Sequence, residues 1–393
     1  MRIVGSRNWL VRLLGARRQP GLRNCERAHP EWLQPYLSRN LRVGPPAPQV
    51  ALDDISKWPK YPALMLDETS PANPKRLFTR RKVLTGIGGV VGAGALGVGG
   101  FLLVDKYDRF GRSADRTIRD HRVELTATRP RMVIARGLDP ARSVRAAAER
   151  MGGMSAFVGP TDVVVVKPNM GWDRTAEQGA NTHPEVVAEV VRLCREARAK
   201  RVIVTDCPVR RSRAAFERSG ILAAATVAGA EVILPEDSRY YTVEISKRLG
   251  TWDVLEPFVI ADKIINIPVA KHHELTGVTA GLKNWLGITG KTRITFHSDL
   301  QHSIAELAAL MRPTLTIVDA SRVLMEHGPS GGNLDDVKPT RTIAAGVDPV
   351  ALDAWAFTLF PNKPVPENLR IAEGMGLGRV NFAALSPEEI MVG

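Results

Sequence analysis

The chain has 393 residues, 44% hydrophobic and 24% charged, an ordinary globular balance with room for two compact domains or one large α/β domain with appendages. Its net charge of +13 is uneven: residues 1–82 hold 16 Lys/Arg against 6 Asp/Glu, and the 38 basic and 35 acidic residues that follow nearly cancel. A nearly neutral folded part lacks the cationic face that phosphate backbones require, so nucleic acid is not an expected partner. The three cysteines, Cys25, Cys194 and Cys207, are too few for a disulfide framework or for the four thiolates of an iron–sulfur cluster.

Residues 1–74 are rich in Arg and Pro with few regular apolar periods, and read as a disordered basic leader. Lys75-Arg76-Leu77-Phe78-Thr79-Arg80-Arg81-Lys82-Val83-Leu84 then resembles a twin-arginine export signal, although the usual motif favours Phe where Val83 stands. From Val83 to Val104 run 22 uncharged residues, eight of them glycine. As a helix this stretch is about 33 Å long, enough to cross a hydrocarbon core of about 30 Å. Eight glycines would be costly in a buried core helix, so residues 75–104 read as a signal or membrane anchor. The basic flank puts the amino terminus in the cytoplasm and the main domain outside. Ala93-Gly94-Ala95 offers a small-residue cleavage site, with an uncleaved anchor as the alternative. Met65 would open a leader of conventional length, which places the expected true start there. The expected partners are therefore the twin-arginine export machinery and a membrane. The expected location is the periplasm or the extracytoplasmic face of the inner membrane.

Residues 105–128 read as a polar tether, and residues 129–393 as one α/β domain. Strand-like runs fall at Met132–Ala135, Asp162–Val166, Val202–Thr205, Glu231–Leu234, Lys263–Ile267, Leu315–Val318 and Thr342–Ala345. Several are continuous Val/Ile runs, which suit strands covered on both faces. Thr182-His183-Pro184-Glu185 predicts a helix start, with Thr182 as cap, Pro184 in the first turn and Glu185 completing a capping box. Alternating strands and helices imply an open, mostly parallel sheet covered by helices, behind an N-terminal signal or anchor helix.

Ligands of such sheets bind outside the carboxyl ends of the strands, and the polar clusters of this chain fall there. The first runs into Lys167-Pro168-Asn169, and the next ends at Asp206-Cys207-Pro208. A third is followed by Lys271-His272-His273-Glu274, then Thr276–Asn284 with Lys283 and Asn284 two turns into a helix. Asp319 ends another strand, ahead of Gly328-Pro329-Ser330-Gly331-Gly332, and Val202–Asp206 resembles Leu315–Asp319 enough to hint at duplication. Backbone N–H groups at such loops, with lysines nearby, suit an anion.

These segments resemble, in order over residues 130–393, the bacterial and archaeal family known as domain of unknown function 362. The shared pattern comprises Lys167–Asn169, Thr182–Glu185, Val202–Asp206, Lys271–His273, Thr276–Asn284, Gly328–Gly332 and Asp348–Asp353. Many relatives append a Cys-rich ferredoxin-like segment that this chain lacks, and His272 is extra, His273 holding the family position. The resemblance implies the fold region and leaves the reaction open.

The expected function is an enzyme acting on a small anionic substrate. Lys167, Asn169, Lys271, Lys283, Asn284, Gly331 and Gly332 are the ligand-binding candidates, and Asp206 and His273 the catalytic ones. His273 is the preferred general acid/base because an ordinary imidazole titrates near neutrality. The alternatives are a membrane-tethered binding protein for an anion, or a redox accessory without its own cluster. A divalent metal is a candidate cofactor, with His273, His297 and His302 as ligands, although these lack a preformed helical spacing. Replacing Arg80 and Arg81 together by Lys is expected to leave the protein in the cytoplasm; cell fractionation identical to the parent would count against the export reading.

Overall fold

A computed structural model describes residues 113–393 except 210, 211, 291, 292 and 362. The leader, the twin-arginine segment and residues 105–112 lie outside the described residues, as does Met65. Among the described residues no helix is long and apolar enough to cross a membrane.

In chain order the elements are β1 (Met132–Gly137), α1 (Pro140–Arg150), β2 (Val163–Pro168), α2 (Pro184–Glu196), β3 (Arg201–Val204), α3 (Ser212–Arg218), α4 (Ile221–Val227) and β4 (Glu231–Val232). A hairpin of β5 (Tyr240–Ser246) and β6 (Gly250–Leu255) follows, then α5 (Glu256–Ile260), β7 (Lys263–Ile267), β8 (Val269–His273), β9 (Gly277–Thr279) and α6 (Gly281–Asn284). The chain continues through α7 (Leu300–Met311), β10 (Leu315–Leu324), β11 (Val337–Gly346), α8 (Pro349–Thr358), α9 (Glu367–Gly374) and β12 (Glu388–Val392).

The main sheet runs β12-β1-β11-β10-β7-β2-β3-β4, with β8 paired to β10 and β9 to β8. Its centre, β10-β7-β2-β3-β4, is parallel, while β11 lies antiparallel between β1 and β10. The open, mostly parallel α/β sheet expected from the Val/Ile runs is therefore present, with an antiparallel segment that the runs did not signal.

Successive strand residues point to opposite faces, and two cores result. Met132 and Ile134 of β1, Val165 of β2, Ile203 of β3 and Val318 of β10 join a core shared with Trp252, Phe258, Trp285 and Phe296. Their neighbours Val133, Val164, Val166, Val202, Val204 and Ile317 join the opposite core, with Val187, Val190 and Val191 of α2 and Val144 of α1. Because both faces are dry, these strands needed no polar alternation, which is why they stood out as apolar runs.

Three differences from the sequence reading have local causes. Strands β10 and β11 are each ten residues long, because their outer halves pair with each other beyond the core and carry polar residues such as Arg322 and Lys338. The Lys271–His273 stretch, expected as a loop, forms strand β8. The α2 helix begins at Pro184 as expected, but its cap is His183, whose Nδ1 accepts from Glu185 N at 3.2 Å. Thr182 instead joins two strand ends: its hydroxyl accepts from Asn169 N at 2.8 Å and donates to Ile267 O at 2.7 Å.

The described part of the 105–128 segment lies against the domain rather than running free. Asp115 N donates to Thr242 O at 2.8 Å, and buried His121 accepts from Thr314 through its carbonyl at 2.7 Å.

Candidate functional site

The parallel register decides which polar residues meet. Lys167 of β2 pairs with Asn266 of β7, which pairs with Thr316 of β10, giving a polar row across the carboxyl edge of the sheet. Lys167 follows Val165 by two residues and so shares its face, where α6 and the turn after it are packed. All three residues of this row are buried.

At the row's first position lies an ion pair closed off from solvent. Lys167 Nζ stands 2.7 Å from Asp206 Oδ1, with the side chains 0% and 2% exposed. Lys167 also donates to Pro168 O at 3.1 Å, and Asp206 Oδ2 accepts from Met170 N at 2.7 Å. Burial pulls the Lys167 amine below the usual lysine value, and the Asp206 carboxylate opposes that pull. Gly287 makes the pair possible, because a Cβ there would overlap Asp206 Oδ1 and crowd Lys167 Nζ.

Three asparagines extend the network. Asn169 Nδ2 donates to Asn284 Oδ1 at 3.0 Å, Asn284 Nδ2 to Asn266 Oδ1 at 2.8 Å, and Asn266 Nδ2 to Gly281 O at 3.1 Å. From α8, Asp353 accepts from Gly281 N at 2.6 Å and Leu282 N at 3.0 Å, and burial pushes its carboxyl up to about 7. Gly281 has no side chain to obstruct this approach, since a Cβ would sit 2.9 Å from Asp353 Oδ1.

The remaining cations gather beside this network. Lys271, 2% exposed, donates to Asn169 Oδ1 at 3.1 Å and to Ala180 O. Burial first, then the charge of Lys283, lowers its amine to about 7. Burial and the charge of Arg293 lower Lys283 to about 8. Among the described residues Arg293 donates to three carbonyls, those of Cys207, Pro208 and Leu286. Among the described residues no hydrogen bond or ion pair holds the Lys283 ammonium, and its side chain is half-buried. Asn169, Cys207, Lys283 and Arg293, all half-buried, form the more open side of the cluster.

His273 is buried, and its Nδ1 accepts from Leu275 N at 3.1 Å. Burial, then the charges of Lys283 and Lys271, push its proton affinity far below the ordinary imidazole value. The ring is therefore neutral, and the bond at Nδ1 assigns the remaining proton to Nε2.

The structure thus brings Lys167, Asn169, Asp206, Lys271, His273, Lys283 and Asn284 together. Gly331 and Gly332 serve their own loop: Arg174 Nε donates to Ser330 O at 3.1 Å and Gln178 Nε2 to Gly332 O at 2.9 Å. No hydrogen bond joins these two glycines to the lysines among the described residues. The expected histidine metal set is not assembled, because His302 is turned to Asp299, 3.0 Å away, while His273 is buried. Among the described residues the one trio with ligand atoms within 4.8 Å of each other is Glu326, His327 and Asp336. Cavities of about 600 Å³ and 430 Å³ lie elsewhere, the first lined by Ile245, Arg248 and Glu306, the second by His272, Glu326 and Phe360.

Sequence reasoning missed Asn266, Arg293 and the buried role of Asp353. Asn266 had a signal, a lone polar residue inside Lys-Ile-Ile-Asn-Ile. Arg293 had none, since the chain around it carries no motif.

Fold and site together define an α/β protein with a buried basic cluster at the carboxyl edge of its parallel strands. Residues 164–358, which contain every member of that cluster, match the family model described as domain of unknown function (DUF362), in support of the family read from the motifs. The chain is also 27% identical over 263 residues to the thylakoid-associated protein sll1697 of Synechocystis sp., a match covering 64% of this chain and 80% of the relative.

Changing Asp206 to Asn strands a buried lysine charge and is expected to cost about 3–5 kcal/mol of stability in urea unfolding. The double change with Lys167→Met should recover much of that loss; a single change costing nothing would show that the pair is not buried in solution. The lysines give a further expectation. With amines at about 7 and 8, the folded protein holds fewer protons above neutrality than the unfolded chain, whose lysines titrate near 10.4. Stability should therefore rise between pH 7 and about 8.5, and rise less steeply in Lys271→Met, as measured by urea midpoints across that window.

Proposed function

We propose that the protein binds a small anion at the Lys271–Lys283–Arg293 cluster and acts on it as an enzyme. One observation carries this reading. Three cations share a mostly desolvated region in which Asp206, the carboxylate beside them, is already committed to Lys167. Unbalanced charge in such a region is costly, and an incoming carboxylate or phosphate relieves it. Asn169 at the open side and the Nε2–H of His273 add neutral donors. His273 in this state serves as a hydrogen-bond donor to developing negative charge, in place of the acid/base role expected from an ordinary imidazole.

A second reading, a binding protein that holds the anion unchanged, is favoured by one feature. Asp206 and His273 Nδ1 are both occupied, so neither of the two catalytic candidates has an idle oxygen or nitrogen lone pair ready to serve as a base. Membrane association suits either reading, supported by the apolar stretch 83–104 and by the name of the thylakoid-associated relative. Export through twin arginines to the extracytoplasmic side remains part of this proposal.

Titration calorimetry with oxalate and with inorganic phosphate tests the anion site. Saturable binding is expected, weakened about ten- to a hundredfold by Lys283→Met, the worth of one charge-assisted hydrogen bond. The exposed control Lys200→Met should leave it unchanged. Equal losses in both variants would reduce the effect to general charge and remove the site. Recovery of a bound native ligand unaltered after incubation would favour the binding protein over the enzyme.

A further inference from the structure

We infer that Lys283 is a nucleophilic amine that forms an imine with a small carbonyl compound carrying an acid group, such as a 2-oxo acid or an aldehyde acid. The inference rests on the anion site proposed above and specifies its substrate class. Three lysines meet at this edge of the sheet, and two of them are spent. Lys167 is paired with Asp206, and Lys271 donates to Asn169 Oδ1 and Ala180 O. Lys283 alone of the three has no acceptor among the described residues, yet its backbone is fixed on both sides. Asp353 and Asn266 hold Gly281 and Leu282 before it, and Asn169 and Asn266 hold Asn284 after it. An amine left without an acceptor among the described residues, on a held stretch of backbone and within electrostatic reach of Lys271, His273 and Arg293, suits covalent capture better than it suits structure.

The surroundings also favour the reactive form. Desolvation and a cationic neighbour are the two means by which a lysine amine is made neutral enough to attack. Both act on Lys283, which is lowered to about 8 by burial and by Arg293. The other titratable groups that bear on the cluster are Lys167, Asp206, Lys271, His272, His273, His297, Arg322 and Cys207, among which Asp206 is the carboxylate and is neutralised by Lys167. The acid group of the substrate would lie against the Arg293 guanidinium, leaving its carbonyl carbon for Lys283.

The step balances without an oxidant or reductant. The Lys283 nitrogen lone pair adds to the carbonyl carbon, and the C=O π pair moves to oxygen, which takes a proton to give a carbinolamine. Loss of water, with both hydrogens of the former amine leaving nitrogen, gives the neutral imine. Its protonated form draws electron density from the adjacent C–C or C–H bond.

The test treats the protein with glyoxylate, a small aldehyde acid, and reduces it with borohydride at pH 8, locating the carboxymethyl group by peptide mass spectrometry. Lys283 is expected to be labelled roughly tenfold or more ahead of Lys200 and Lys247, whose side chains are exposed to solvent. Oxalate should protect it, and Lys283→Arg, which keeps the charge and removes the nucleophile, should abolish that label in a folded protein. Labelling of Lys200 and Lys247 with Lys283 untouched overturns the inference; if oxalate still binds and binds more weakly to Lys283→Met, the anion site survives that failure. Labelling of Lys283 by neutral acetaldehyde as readily as by glyoxylate, without protection by oxalate, would keep the nucleophile and overturn the acid-bearing substrate class and the anion site.

Discussion

The buried pair of Lys167 and Asp206 is the contact on which the rest of the site depends. Neither charge could stay in this core alone, since an isolated ion in a dry interior costs several kcal/mol or more. The pair forms because two neighbouring parallel strands end side by side, with Lys167 among the last two residues of β2 and Asp206 two residues beyond β3. Asp206 then fixes the turn after β2 through Met170 N, and Gly287 lets the chain after α6 pass against both side chains. A larger residue at 287 would break the pair, so a structural glycine and a charge pair are parts of one constraint.

From that anchor the asparagines carry order outward. Asn169, Asn284 and Asn266 are linked through Asn284, which ties the ends of β2 and β7 to the end of α6. Amides suit this task because each offers both donors and an acceptor without adding charge. Asp353 completes the frame by taking two backbone N–H groups of the Gly281 turn, and its raised titration is the mark of a carboxyl placed by packing in a dry region. Among the described residues the frame leaves Lys271, Lys283 and Arg293 without a carboxylate in ion-pair contact. That imbalance is the chemical content of the site. Its cost is borne by the packing of two apolar cores on either face of the sheet.

The same logic separates residues that resemble one another in the chain. Asp206 and Asp319 both close Val/Ile-containing runs and looked equivalent in sequence, but Asp206 follows β3 whereas Asp319 lies within β10 instead of ending it. Asp319 accepts from His183 N at 2.7 Å and pairs with Arg322 at 2.7 Å, which ties β10 to the start of α2. Asp206 faces the lysine cluster. The glycines of the Gly328–Gly332 loop likewise serve the local fold, with Gly331 at φ +51° and Gly332 at φ +144°, conformations that suit glycine.

What the sequence by itself determined was the class of fold and part of the polar cluster, Asn266 and Arg293 excepted. Strands covered on both faces must be apolar throughout, so β2, β3 and β7 were visible as Val/Ile runs, and polar residues just after them marked the carboxyl edge. The paired Arg80 and Arg81 and the glycine-rich stretch, on which the proposal of export rests, are likewise a purely local pattern. Tertiary structure alone decided what each member does. Register places Asn266 between Lys167 and Thr316, and no spacing along the chain reveals that row. Burial makes His273 neutral and half-buries Lys283 without an acceptor, whereas in sequence both were simply basic residues near a loop. The free energy of a charge depends on what surrounds it in space, and the distances that set it join residues more than a hundred positions apart, such as Asn169 to Asn284 and Lys271 to Asn169.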